Sequence, residues 1–188
     1  MDALLYSFTG VAIAEIGDKT QLLSLFLAAR FRSRGAIIAG ILVATLLNHA
    51  ASAWFGAWVA QFIPETWHAW LLGGSFIAVA LWLLIPDKDD SGDSEFLKYG
   101  AFAASCLLFF LAEIGDKTQI ATVALAARFD SIVWVMLGTT LGMMLANAPA
   151  VFIGDKLATK LPIALIHKIG AAIFLVIGVA TLVQHYFF

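Results

Sequence analysis

Charge is scarce in this chain. Only 13% of its 188 residues are Asp, Glu, Lys or Arg, against roughly 25% in an average soluble domain. With 62% hydrophobic residues and a mean hydropathy of +0.93, there is too little polar surface to cover a water-soluble globule. An integral membrane protein is what remains, and no nucleic-acid partner is expected. The single Cys106 excludes an internal disulfide framework. A basic leader is also missing: Asp2 stands near the start, and the first apolar run holds a charged motif in place of a small-residue cleavage site, so no cleavable signal peptide is expected. No P-loop is present, so any transport would be coupled to an ion gradient or to another subunit.

What the chain does have is long apolar runs. Residues 35–64, 66–86, 131–154 and 169–188 contain no Asp, Glu, Lys or Arg, and a hydrocarbon core of about 30 Å needs roughly 20 helical residues. Two further spans, about 3–29 and 99–127, exist only if internal charges are tolerated. The expectation is an all-α integral membrane protein of six transmembrane helices. Lys and Arg set its orientation. The first, third and fifth loops hold Arg30, Arg32, Arg34, Lys88, Lys98, Lys156, Lys160 and Lys168, whereas the second and fourth hold only Arg128. The odd loops are therefore expected in the cytoplasm and both termini outside. Trp58, Trp67 and Trp70 near the second loop fit an outer aromatic belt. His68, His167 and His185 fall near span ends and read as interfacial.

The octapeptide AEIGDKTQ occurs at residues 14–21 and again at 112–119. At this offset of 98, residues 14–31 and 112–129 agree at 13 of 18 positions, and Gly40 matches Gly138, Gly56 matches Gly154 and Pro64 matches Pro162. After one deletion Gly73 matches Gly170. The halves are read as residues 1–86 and 98–188, joined by an acidic cytoplasmic linker, 87–97, taken as solvated. Three crossings per half is an odd number, so the second half enters the membrane from the opposite side. Inverted repeats of this kind build transporters with the site at the midplane repeat interface. Glu15 lies about 12 residues, roughly 18 Å, into its run, and Glu113 is about as deep from the other face.

Burying such groups costs about 2.5–3.5 kcal/mol each on insertion scales, so intramembrane charges normally pair and mark an ion or substrate path. Glu15 and Asp18, and likewise Glu113 and Asp116, are spaced i, i+3, which on a continuous helix puts both carboxylates on one face. Gln21 and Gln119 continue along that face as neutral oxygen donors. Gly17 and Gly115 permit either close helix approach or a local break that frees carbonyls; Thr20 and Thr118 would satisfy such carbonyls or lend hydroxyls. Four carboxylates and two lysines leave a charge of −2, which one divalent cation neutralises. The donors are hard oxygens, suited to Mg²⁺, Ca²⁺ or Mn²⁺. Lys19 and Lys117 are expected to hold carboxylates in place. Asn48 and Asn147 are secondary candidates for oxygen ligands, with helix–helix hydrogen bonding the alternative, and Asn147 aligns with His49. Ser24 and Thr122 align beyond the motif and either extend a polar path or serve helix contacts.

With EIGDKT at 15–20 and again at 113–118, one per three-helix half, the chain resembles a family of cation exchangers carrying two E-x-G-D-K-[ST] motifs, among them Golgi manganese/calcium transporters and bacterial manganese exporters. The resemblance covers all six expected spans. It implies secondary transport of Mn²⁺, or of Ca²⁺, out of the cytosol against protons, with Glu15, Asp18, Glu113 and Asp116 as the cation site. The short third loop resembles the bacterial branch and implies the cytoplasmic (inner) membrane; no cofactor beyond the transported ion is implied. Three other readings compete: a transporter of another cationic substrate, an intramembrane aspartyl hydrolase, and a non-transporting assembly factor. Against the hydrolase, each Asp has a Lys and a Glu beside it, which would disturb two aspartates sharing one proton.

Overall fold

The computed structural model describes residues 2–85, 95–153 and 163–187, and the described residues form helices without a strand. The acidic segment 87–94 and the loop bearing Lys156 and Lys160 lie outside them, as do the side chains of His68, His167 and His185. In chain order the helices are α1 (Asp2–Glu15), α2 (Lys19–Arg30), α3 (Arg34–Ala60), α4 (Glu65–Leu83), a 3-10 turn (Glu95–Tyr99), α5 (Gly100–Glu113), α6 (Lys117–Phe129), α7 (Ile132–Ile153) and α8 (Ile163–Phe187). Among the described residues, three stretches, Arg34–Ala60, Glu95–Glu113 and Ile132–Phe152, are by themselves long and apolar enough to cross a membrane.

The runs expected as single spans at 3–29 and 99–127 are each two helices. Gly17 and Gly115 adopt φ values of 82° and 77°, a left-handed conformation in which a helix cannot continue and which glycine reaches at little steric cost. The break is the same in both copies. Asp18 N donates to Glu15 O at 3.2 Å, and Asp116 N donates to Glu113 O at 3.1 Å. Asp18 and Asp116 then stand in extended conformation at the N-caps of α2 and α6. The shared-face argument for each Glu/Asp pair therefore does not hold, because the chain turns between them.

Helices of one half pack on helices of the other. α1 lies on α7 as α5 lies on α3, α2 meets α7 as α6 meets α3, and the pairs α3 with α7 and α4 with α8 close the bundle. Two glycines set the matching approaches. A Cβ on Gly40 would lie 2.5 Å from Phe102 O and 2.9 Å from Ser105 Cβ; one on Gly138 would lie 2.6 Å from Leu4 O and 2.8 Å from Ser7 Cβ. These neighbours are themselves 98 residues apart, so the crossing is built twice from equivalent residues.

Because carbonyls stand in the way, Gly40→Ala and Gly138→Ala must push helices apart. Each is expected to lower stability by about 1–3 kcal/mol, the usual cost of overpacking, read as a lower unfolding midpoint of the detergent-solubilised protein. Gly74→Ala is the control: its Cβ would meet nothing within 4 Å, and its midpoint should hold or rise.

Polarity is distributed inside-out. Leu47, Trp54, Leu81, Leu141 and Val176 are exposed, whereas Glu15, Asp18, Asn147, Lys117 and Glu113 are buried. An outer surface this apolar suits hydrocarbon, and the charged groups it cannot carry are gathered within.

Candidate metal centre

Each broken run brings a helix C-terminus and a helix N-terminus together at one turn. Glu15 ends α1 and Asp18 caps α2; Glu113 ends α5 and Asp116 caps α6. One carboxylate oxygen from each of Glu15, Glu113 and Asp116 lies within 4.8 Å of the others, and all three residues are buried. Like charges this close repel one another unless protons or a cation intervene.

The surrounding polar groups fix these carboxylates. Thr20 Oγ1 donates to Glu15 Oε2 at 2.7 Å, and Thr118 Oγ1 donates to Glu113 Oε2 at 3.2 Å, with Asp116 Oδ2 at 3.3 Å. Each glutamate thus has one oxygen anchored by the threonine five residues on. The other oxygen, Oε1 of both Glu15 and Glu113, is buried with no hydrogen-bond partner. A buried acceptor left unmatched is costly, and here two glutamates of one converging carboxylate cluster each carry one.

The lysines cross between halves. Lys117 Nζ pairs with Asp18 Oδ1, and Lys19 Nζ lies 3.0 Å from Asp116 Oδ1. An aspartate at an N-cap ordinarily accepts from its own helix; neither does so here.

The glutamines turn back on the break. Gln21 Oε1 accepts from Gly17 N at 2.9 Å and Gln119 Oε1 from Gly115 N at 2.7 Å, while Gln21 Nε2 donates to Ala146 O at 2.9 Å. These amides hold the broken backbone, a role readable afterwards in the i, i+4 spacing of Gly and Gln. Among the secondary candidates, Asn48 Nδ2 donates to Phe110 O at 3.1 Å, tying α3 to α5. Asn147 Oδ1 accepts from Ser24 Oγ at 3.0 Å, and its Nδ2 donates to Met143 O at 3.1 Å. Thr122 Oγ1 donates to Thr118 O at 2.7 Å, within its own helix.

His49 was not among the candidate residues that the sequence offered. His49 is fully enclosed, with Nδ1 3.5 Å from Thr140 Oγ1. The signal was its alignment with Asn147.

The comparisons accord with this duplicated arrangement. The family described as "Divalent cation/proton antiporter GDT1" matches residues 3–91 and again 101–187. A Vibrio cholerae protein named "Putative manganese exporter" is 53% identical over 182 residues, covering 96% of this chain and 90% of its own. GDT1-like protein 3 of Oryza sativa subsp. indica is 28% identical, covering 96% of this chain and 73% of its own, and GDT1-like protein 3 of Arabidopsis thaliana is 27% identical, covering 96% and 70%. No solved structure matches the chain.

Proposed function

The chain belongs to the GDT1 family of divalent cation/proton antiporters, and from that membership we propose that it exports Mn²⁺ from the cytosol in exchange for protons, by alternating access about the Glu15, Asp18, Glu113 and Asp116 centre. It is a membrane transporter, not an enzyme, and the ion it carries is its substrate. The observation that carries the residue assignment is the pair of buried, unpartnered Oε1 atoms on Glu15 and Glu113, beside Asp116 within 4.8 Å.

The exchange follows from competition. Removal from water disfavours a carboxylate's charged form and a nearby cation favours it, so protons and metal exclude one another from the same oxygens. A separate proton site is unnecessary. Manganese rather than calcium is favoured by the name of the Vibrio relative; hard oxygen donors accept both. Gln21 and Gln119 hold the two breaks, while Lys19 and Lys117 balance the aspartates.

The architecture proposed is six spans in two inverted halves, residues 1–86 and 98–188, in a bacterial cytoplasmic membrane with both termini outside. Cross-repeat packing at Gly40 and Gly138 supports the two-fold relation, and the two separate family matches support the duplication.

Wild-type protein in proteoliposomes with an imposed pH gradient tests the function. Mn²⁺ should move against the proton gradient and Ca²⁺ more slowly. Intact protein that moves neither ion would remove the exporter reading and leave another cationic substrate as the leading one.

A further inference from the structure

The two cross-repeat ion pairs are chemically equal and differ in their surroundings. In the Lys117–Asp18 pair both side chains are 0% exposed. In the Lys19–Asp116 pair Lys19 is 28% exposed. The broken segments differ in the same sense: Ile114 and Gly115 are exposed, while Ile16 and Gly17 are half-buried. The carboxylate that joins Glu15 and Glu113 in the converging group is Asp116, the partner of the exposed lysine, and Asp18 is outside that group.

We propose that the two Asp–Lys pairs are the alternating gates of one cation site: Glu15 and Glu113 serve every state, Asp116 with Lys19 forms the open gate in the state described here, and Asp18 with Lys117 takes that role when the opposite side opens. This rests on the transport reading above.

A lysine does not present its charge to hydrocarbon, so the partial exposure of Lys19 marks a water-filled approach. A divalent ion coming that way meets Lys19 first and must displace its ammonium from Asp116, which frees the carboxylate as a third ligand. On the other side, Lys117 stays on Asp18 in a closed, weakly polar surrounding. There its charge repels the cation with little screening, and the ion cannot leave. The octapeptides are identical, so their own residues do not produce this inequality; it comes from what packs around each copy, which in a transporter of two rocking repeats changes with the state. Rocking one repeat against the other exchanges the environments of the two copies, and with them the roles of the two pairs.

Cysteine accessibility tests this in a Cys106→Ser background, since Cys106 is the chain's one cysteine and lies outside the proposed site. Single cysteines are placed by Lys19→Cys and Lys117→Cys, and, keeping both lysines, by Ile114→Cys and Ile16→Cys. A membrane-impermeant methanethiosulfonate is applied from each side of proteoliposomes under opposite Mn²⁺ and proton gradients, with Mn²⁺ flux of the background measured first. Positions 19 and 114 should label from one side only and positions 117 and 16 from the other only. A gradient that raises labelling of one set should lower that of the other. If the lysine variants do not fold, the isoleucine pair decides alone. Flux in the background, with both sets labelled from the same side, or with 117 and 16 protected under every gradient, would overturn the alternation and leave the transport reading standing. Absence of flux in wild type and background would overturn both.

Discussion

Glu113→Gln is expected to abolish proton-driven Mn²⁺ flux while the protein stays folded. The amide keeps the side chain's shape and can still accept the Thr118 hydroxyl that now reaches Oε2 at 3.2 Å. What it loses is the negative charge behind Oε1, the buried atom with no hydrogen-bond partner. Removing an outer hydrogen-bond partner of a metal ligand typically costs 10–100-fold, so removing a ligand's charge should slow transport by more than about 100-fold. Stability should move the other way. Three carboxylates converge within 4.8 Å, and one fewer relieves mutual repulsion, so the unfolding midpoint of metal-free protein should equal or exceed that of wild type. Initial rates of Mn²⁺ uptake, set beside that midpoint, check both halves of the expectation. Flux that survives the change would take Glu113 out of the site and shift the assignment to the aspartates.

The largest effect on stability is expected at Lys117→Met. Both partners of its pair are wholly buried, and taking away one member of a buried pair strands the other, at a typical cost of about 3–5 kcal/mol. Asp18→Asn in addition should recover most of that loss, because two neutral groups carry no stranded charge. Lys19→Met is the informative contrast. Lys19 is 28% exposed while Asp116 is 2% exposed, so water screens the loss on one side of the pair and the change should cost less than Lys117→Met. Unfolding of the three variants in a common detergent gives the comparison. Equal losses for Lys117→Met and Lys19→Met would contradict the asymmetry of the two pairs.

Some features are legible in the residues alone. That charges must gather inside was set by composition, since 13% charged residues cannot coat a globule in water. The duplication stood in the letters, and Gly40 with Gly138 already marked a repeated event that the structure resolves into two helix crossings. The helix break was one of two roles left open for Gly17 and Gly115. The contacts inside the site were not legible. Gln21 and Gln119, read as oxygen donors to a cation, point their oxygens at the glycine N–H groups. Thr20 and Thr118, for which partnering freed carbonyls and lending hydroxyls were both open, lend their hydroxyls to the glutamates. The i, i+3 argument assumed a continuous helix, and once the chain turns at a positive φ the geometry of local spacing no longer applies. His49 entered only as the position aligned with Asn147, and that alignment does not say what encloses it.

The sequence by itself determined the membrane class, the two-copy plan, and the net charge of the motif residues. These depend on quantities that add residue by residue: transfer free energy, length and charge. Only the tertiary structure decided that each lysine crosses to the aspartate of the other repeat, and that one of these pairs is sealed while the other is partly open. Two identical octapeptides cannot encode a difference between themselves. That difference arises from which helices pack around each copy, a property of the whole bundle that no local stretch contains.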